Sequence, residues 1–283
     1  MMSKNTQKTV LTSTQLQLNK VKVMGILNVT ADSFSDGGQF TCLDSALKQV
    51  EKMVANGVDI IDIGGESTRP GAAEVNVQDE IVRVIPLLKA IKLRFDINVS
   101  IDTTKAEVMS EAIVHGADMI NDVRALQNKG CLEVVAQSNI AVCLMHMQGM
   151  PRTMQENPRY SHIIDDILAF FKQRIACCEQ NGINEERLVL DPGFGFGKTL
   201  AHNYEVLAKF AQFKSLGLPV LAGISRKSMI GNLLNREVDE RLAGSLAAAI
   251  VAVQQGANII RVHDVQESVD AINILKAVAQ YKA

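Results

Sequence analysis

The sequence predicts an α/β protein built as a (β/α)8 barrel of the TIM-barrel type, with a short N-terminal hairpin closing the bottom. Three observations carry that expectation. Eight short apolar segments alternate with eight helical patterns from residue 22 to residue 281. A small motif recurs at the helix-to-strand joints: Asn56-Gly57-Val58-Asp59, His115-Gly116-Ala117-Asp118, Asn181-Gly182-Ile183-Asn184 and Gln255-Gly256-Ala257-Asn258. No GxGxxG follows the first strand, which sets the pattern apart from a doubly wound open sheet. Parallel strands need right-handed crossovers, and eight βα units of this length fit a closed ring.

The elements follow in order. Residues 1–20 are polar, and 9–11 and 16–18 are expected to pair as a hairpin around Ser13-Thr14-Gln15. Residues 23–27 form a continuous apolar run, which suits a strand buried on both faces. Leu43, Leu47, Val50 and Val54 then fall at helical spacing, and Gly57 suits a left-handed helix cap. Strand two is expected at 58–63, and a helix across 77–95 through Val82, Ile85 and Leu88. Strand three spans 98–101 and its helix 105–115. The remaining strands are expected at 119–121, 140–145, 188–191, 220–223 and 259–262. Their helices fall near 132–138, 163–181, 202–215, 238–255 and 266–281.

Composition bounds the rest. A chain of 283 residues that is 47% hydrophobic can bury a large core, read here as one domain over 1–283. The net charge of −2 supplies no field for nucleic acid or a membrane. With 4% aromatics and no Trp, stacking platforms are few. Five cysteines without a CxxC pair read as free thiols of a reducing, cytoplasmic protein. No apolar run reaches membrane-spanning length, and Lys4 and Lys8 precede no secretory leader.

Chemistry in such barrels sits at the C-terminal strand ends. Those ends hold Asn28, the stretch 64–71, Asp102, Asn121-Asp122, Met145-His146, Asp191, Ser225 to Ser228, and Arg261-Val262-His263. Asp102, Asn121, Asp191 and Lys227 combine acceptors, an amide and an ammonium, which suits the edge of a flat heterocycle. Asn28, Thr68, Arg261 and His263 suit an anion such as phosphate, with Mg²⁺ as a companion. The structural alternative for Asp102 or Asp191 is an ion pair with Lys227 that only braces the barrel. For His263 the alternative is a rim histidine satisfied by its neighbours. Three loops, 30–40, 66–75 and 148–160, carry Gly or Pro and are candidate lids. The segment 188–198, LVLDPGFGFGK, stands out: an acid ends an apolar strand, Pro192 stops it, and a Gly/Phe loop follows.

Eight segments taken together resemble the dihydropteroate synthases of bacterial folate synthesis. They are MGILNVT with DSFSDGG (24–38), DIGGESTRPGA (62–72), SIDTTK (100–105), INDV (120–123), MHMQGMP (145–151), LDPGFGFGK (190–198), GISRKS (223–228) and RVHDV (261–265). Ala31 departs from the family pattern, where proline is usual, and leaves that loop backbone freer. The resemblance implies a transferase that condenses a dihydropterin methyl diphosphate with p-aminobenzoate and releases diphosphate. It implies catalytic roles for Asp102, Asp191, Lys227 and Arg261. Pterin diphosphate would be bound by Thr68, Asp102, Asn121, Asp191, Lys227, Arg261 and His263, with Met145, Val123, Phe196 and Gly223 lining the pocket. The p-aminobenzoate side would be formed by Phe34, Asp36, Arg69, Pro70, Phe196 and Ser228. Asn28 would contact Mg²⁺, the late helices would form a homodimer, and sulfonamides would be candidate inhibitors. A pterin-binding methyltransferase shares the barrel, but the TRPG and SRKS loops favour diphosphate and benzoate. A non-catalytic pterin-binding protein is the other alternative, against which stand Asn28, Arg261 and His263.

Overall fold

A computed structural model describes residues 16, 18, 20–29, 39–66, 75–149, 153–155 and 157–281. Among these residues eight parallel strands are present: β1 (Lys22–Asn28), β2 (Ile60–Gly64), β3 (Asn98–Asp102), β4 (Met119–Asp122), β5 (Ala141–Met145), β6 (Leu188–Asp191), β7 (Leu221–Ala222) and β8 (Ile259–Val262). Helices separate them: α1 (Gln39–Ala55), α2 (Val77–Arg94), α3 (Ala106–Val114), α4 (Cys131–Ala136), α5 (Ile163–Gln180), α6 (Leu200–Ala208), α7 (Ser228–Leu234), α8 (Leu242–Gln254) and α9 (Val265–Ala279). The sheet runs β6-β5-β4-β3-β2-β1-β8-β7. Its two edges meet at a parallel bridge between Leu190 and Val220, where the Leu190 N–H donates to the Pro219 carbonyl at 2.9 Å. This is the expected (β/α)8 barrel.

Strand alternation divides the core in two. Outward residues such as Ile61, Ile63, Val99, Ile101, Val142, Leu144, Leu188 and Leu190 pack against the helices. Inward residues near the strand starts, Met24, Ile60, Met119, Ala141, Val189, Leu221 and Ile259, form a second cluster inside the ring. Leu16 and Leu18 join that inner cluster, at 2% and 6% exposure. The bottom is therefore plugged from the N-terminal side, while the strand pairing expected for 9–11 lies outside the described residues.

The recurring joint motif is a single device used four times. Gly57, Gly116, Gly182 and Gly256 all have positive φ, and the next N–H reaches back to Met53, Ala112, Cys178 and Ala252 carbonyls respectively. That is the helix-ending pattern a left-handed glycine allows. The fourth residue then stitches the barrel. Asp59 accepts the Val23 N–H at 2.8 Å, Asp118 the Val99 N–H at 2.7 Å, and Asn258 the Val220 N–H at 3.0 Å. Asn184 departs from the pattern and accepts from Glu186 N–H instead.

Three expected elements differ. The helix expected over 202–215 starts earlier, at a Thr199–His202 capping box, and gives way to a 3₁₀ segment over Phe210–Leu216. The 3₁₀ repeat eclipses positions three apart, so Phe210 and Phe213 are buried together. The pattern at 238–255 splits, because Glu237 and Glu240 cap a short 3₁₀ turn and Arg241 turns back onto the Arg236 carbonyl. Strand seven shrinks to two residues, since Val220 is held by Asn258 instead.

Candidate functional site

Parallel register sets the mouth. Asn28 pairs with Gly64, Gly64 with Asp102, and Asp102 with Asn121. These side chains share one face of the ring at its C-terminal end, beside Asp191 at the end of β6, which pairs with Met145.

Arg261 on β8 ties one wall together. Its Nε donates to Asp62 Oδ2 at 2.6 Å and its Nη2 to Asp102 Oδ2 at 2.8 Å. Asn121 Nδ2 also donates to Asp62 Oδ2, at 3.3 Å. Asp62 is fully buried, and its Oδ1 has no hydrogen-bond partner among the described residues. Two carboxylates thus share one guanidinium. Burial pushes Asp102 up to about 7; Arg261 draws it back, and Asp62 adds repulsion. Arg261 is held above its ordinary value by Asp62 and Asp102 despite its burial.

The opposite wall is the loop after β6. Asp191 Oδ1 accepts the Gly193 N–H at 2.7 Å. Burial raises Asp191, against the pull of Lys227 and the Gly193 N–H. Lys227 donates to the Phe194 carbonyl, and its Nζ lies 4.6 Å from the centre of the Phe196 ring. Burial pushes Lys227 down to about 8, with Asp191 opposing and Arg261 adding to the fall. Lys227 thus makes a carbonyl contact where the alternative reading had it bracing a carboxylate, while Asp102 is paired with Arg261. Gly223 sits between the walls, near Asp191 and Arg261.

Lys227 faces inward because Arg226 takes a left-handed φ of 57°. That conformation is costly for a residue with a side chain. It is offset by Arg226 Nε donating to Asp264 at 2.9 Å, the Arg226 N–H donating to Ser245 at 2.9 Å, and Arg241 donating to the Arg226 carbonyl at 3.0 Å. Ser228 opens α7 and is exposed. The His263 N–H donates to the Ser225 hydroxyl at 3.2 Å, and Nδ1 lies 3.1 Å from the same oxygen.

The structure thus brings Asp102, Asn121, Asp191, Lys227 and Arg261 to one mouth, with Asn28, Phe196, Ser228 and His263 on the segments around it. Thr68, Arg69, Pro70, Phe34 and Asp36 lie outside the described residues. Asp62 was missed by sequence reasoning, although an acid in the run Ile60-Ile61-Asp62-Ile63 was the available signal. The stretch 148–160, expected as a lid, is tied down where it is described. Gln148 pairs with the Arg159 backbone, and Tyr160 Oη donates to the Gly197 carbonyl at 2.7 Å.

No group of three His, Cys, Asp or Glu side chains suited to a metal occurs among the described residues. Asn28 offers a single carboxamide at the rim. Mg²⁺ keeps several waters and is commonly held by substrate phosphates with one or two protein oxygens, and a single carboxamide at the mouth fits a substrate-borne Mg²⁺.

A family model described as pterin binding enzyme matches residues 24–263. The chain is 54% identical over 269 residues to the dihydropteroate synthase of Escherichia coli, covering 95% of each. The chain belongs to the dihydropteroate synthase family. Solved structures agree with the membership. A 7,8-dihydropteroate synthase from Vibrio fischeri is 56% identical, with a TM-score of 0.85, covering 100% of this chain and 99% of that one. The Yersinia pestis enzyme in a sulfonamide drug complex is 52% identical, with a TM-score of 0.89, covering 93% and 96%.

Proposed function

We infer that the chain condenses 6-hydroxymethyl-7,8-dihydropterin diphosphate with p-aminobenzoate, giving 7,8-dihydropteroate and diphosphate. The observation that carries this reading is the meeting of Asp102, Asn121, Asp191, Lys227 and Arg261 at one mouth in a member of this family. Buried carboxylates and an amide match the donor-rich edge of a pterin. The methylene carbon–oxygen bond breaks, diphosphate leaves with the bonding electrons, and positive charge spreads from the methylene into the ring. Asp102 and Asp191 offset that charge from a low-dielectric site. The arylamine nitrogen then forms the new bond and loses a proton, so no protein nucleophile is needed.

His263, Arg261 and Thr68 are the groups assigned to the diphosphate, and Asn28 would hold Mg²⁺, which when bound neutralises leaving-group charge. Phe34, Asp36, Arg69, Pro70, Phe196 and Ser228 are assigned to p-aminobenzoate, where sulfonamides would compete. A homodimer is proposed through α7 and α8, supported by the exposed apolar side chains Leu233, Leu234 and Val251. Cytoplasmic placement is supported by the free thiols Cys131, Cys143, Cys177 and Cys178. No helix among the described residues is long and apolar enough to cross a membrane.

Diphosphate release, measured with and without p-aminobenzoate and Mg²⁺, tests the reading. Release should require both, and Lys227→Ala should lose on the order of 2–4 kcal/mol of transition-state stabilisation. Near-parental turnover by that variant would defeat the assignment.

A further inference from the structure

Lys198 is 3% exposed and plays no part in the chemistry above. Its Nζ lies 2.9 Å from the Gly193 carbonyl, 3.1 Å from the Phe196 carbonyl and 3.0 Å from His146 Nδ1; the His146 carbonyl is further off, at 3.5 Å. An ammonium has three protons, and the three nearer contacts use all of them. Burial lowers Lys198 itself to about 7, against the pull of Asp191; in its charged form, with all three protons used, the acceptor at 3.0 Å is the Nδ1 of a neutral His146. Burial and the neighbouring lysine push it down to about 2, consistent with that role. Burying an ammonium is expensive unless every proton is satisfied, and here each one is.

The cost is repaid in geometry. All five consecutive carbonyls of 193–197 meet a side-chain donor: Lys198, Lys227, Gln155, Lys198 again and Tyr160. Gly193 and Gly197 have φ of 70° and 60°. A Cβ on either would lie 2.0 Å from the His146 carbonyl oxygen or 2.3 Å from that of Gln148, so the loop rests directly on neighbouring backbone. This loop aims two proposed catalytic groups. The Gly193 N–H fixes Asp191 Oδ1, and the Phe194 carbonyl receives Lys227.

We propose that Lys198 is a positioning residue for the condensation: by clamping the Gly193 and Phe196 carbonyls it orients the Asp191 carboxylate and the Lys227 ammonium without touching substrate. The inference rests on the function proposed above.

A double-mutant cycle on the full chain tests it. Lys198→Met should lower kcat/KM for the dihydropterin diphosphate by about thirtyfold or more, with KM for p-aminobenzoate changed by less than about threefold. In a Lys227→Ala background the same change should cost clearly less than in the parent, because one of the two groups it positions is gone and only the Asp191 share remains. Equal losses in both backgrounds, or a Lys198→Met enzyme within about threefold of the parent, would overturn the proposal. Where Lys198→Met fails to fold, Tyr160→Phe removes another donor from the loop. It should show about a three- to tenfold loss that shrinks in the same way, and an undiminished loss counts against the proposal. Should the parent chain show no turnover, the functional reading fails separately. Calorimetric titration with the pterin diphosphate alone then decides: affinity about tenfold weaker in Lys198→Met supports positioning, and unchanged affinity overturns it.

Discussion

Asp102 and Lys227 are displaced toward each other in acidity, one pushed up to about 7 and the other down to about 8. Below the first value the carboxyl is neutral and cannot offset a cation; above the second the ammonium is gone. The free-enzyme kcat/KM should therefore be a narrow bell, rising through about 7 and falling through about 8. Asp102→Asn should remove the acid limb, Lys227→Arg should carry the alkaline limb upward, and a flat pH profile would sink both roles. Stability moves with the same group. Between 3.8 and about 7 the folded chain keeps a proton on Asp102 that the unfolded chain has released, so stability falls as pH rises across that window. Asp102→Asn escapes this loss, and its melting temperature relative to the parent should be higher at pH 8 than at pH 5. Asp102, Asn121 and Asp191 were legible in the sequence because each ends an apolar run. Asp62 was less so, since a strand buried on both faces lacks the alternation that would mark it as inward. Lys198 was invisible as a functional group because a lysine after a glycine-rich loop reads as surface, and its partners are main-chain oxygens that no side-chain pattern encodes.

At the scale of elements, the Gly-x-Asp/Asn joint was readable as a repeat, and its cap geometry follows from the glycine alone. What the last residue does was not readable, because its partner lies on the preceding strand, 19 positions away for Asp118 and Val99. Asp118 also meets Lys92 at 2.8 Å. Replacing Asp118 with Ala leaves the N–H of the fully buried Val99 without that acceptor at the start of β3, and should cost about 1–3 kcal/mol in a denaturant titration. An unchanged midpoint would mean that water serves the Val99 N–H equally well. The helix limits at 202–215 and 238–255 misled because apolar periodicity near 3 and near 3.6 cannot be told apart over two turns. Tertiary packing favours the tighter form at 210–216, where Phe210 lies against Phe213, centroids 5.8 Å apart, and the two also meet Phe194 and Phe171.

For the whole molecule, the strand count and the absence of a dinucleotide fingerprint sufficed for the barrel, and Leu16 and Leu18 filling the base agree with the expected plug. How the ring closes had no sequence signal. Strands β1 to β6 are joined by ladders of three to five paired residues, whereas β6 meets the β7 side at the Leu190–Val220 bridge. Asp191 ends the strand on one bank of that seam, and Lys227 follows the strand on the other. A pterin held by both, as proposed, would act as a keystone, spanning the weakest joint of the arch from above. Saturating pterin diphosphate at about a hundredfold excess over Kd should add about 2.7 kcal/mol of apparent stability. Its exchange signature should be local: the Leu190 amide should slow more than amides deep in β2. The substrate would then serve, for as long as it stays, as part of the masonry that holds its own chamber shut.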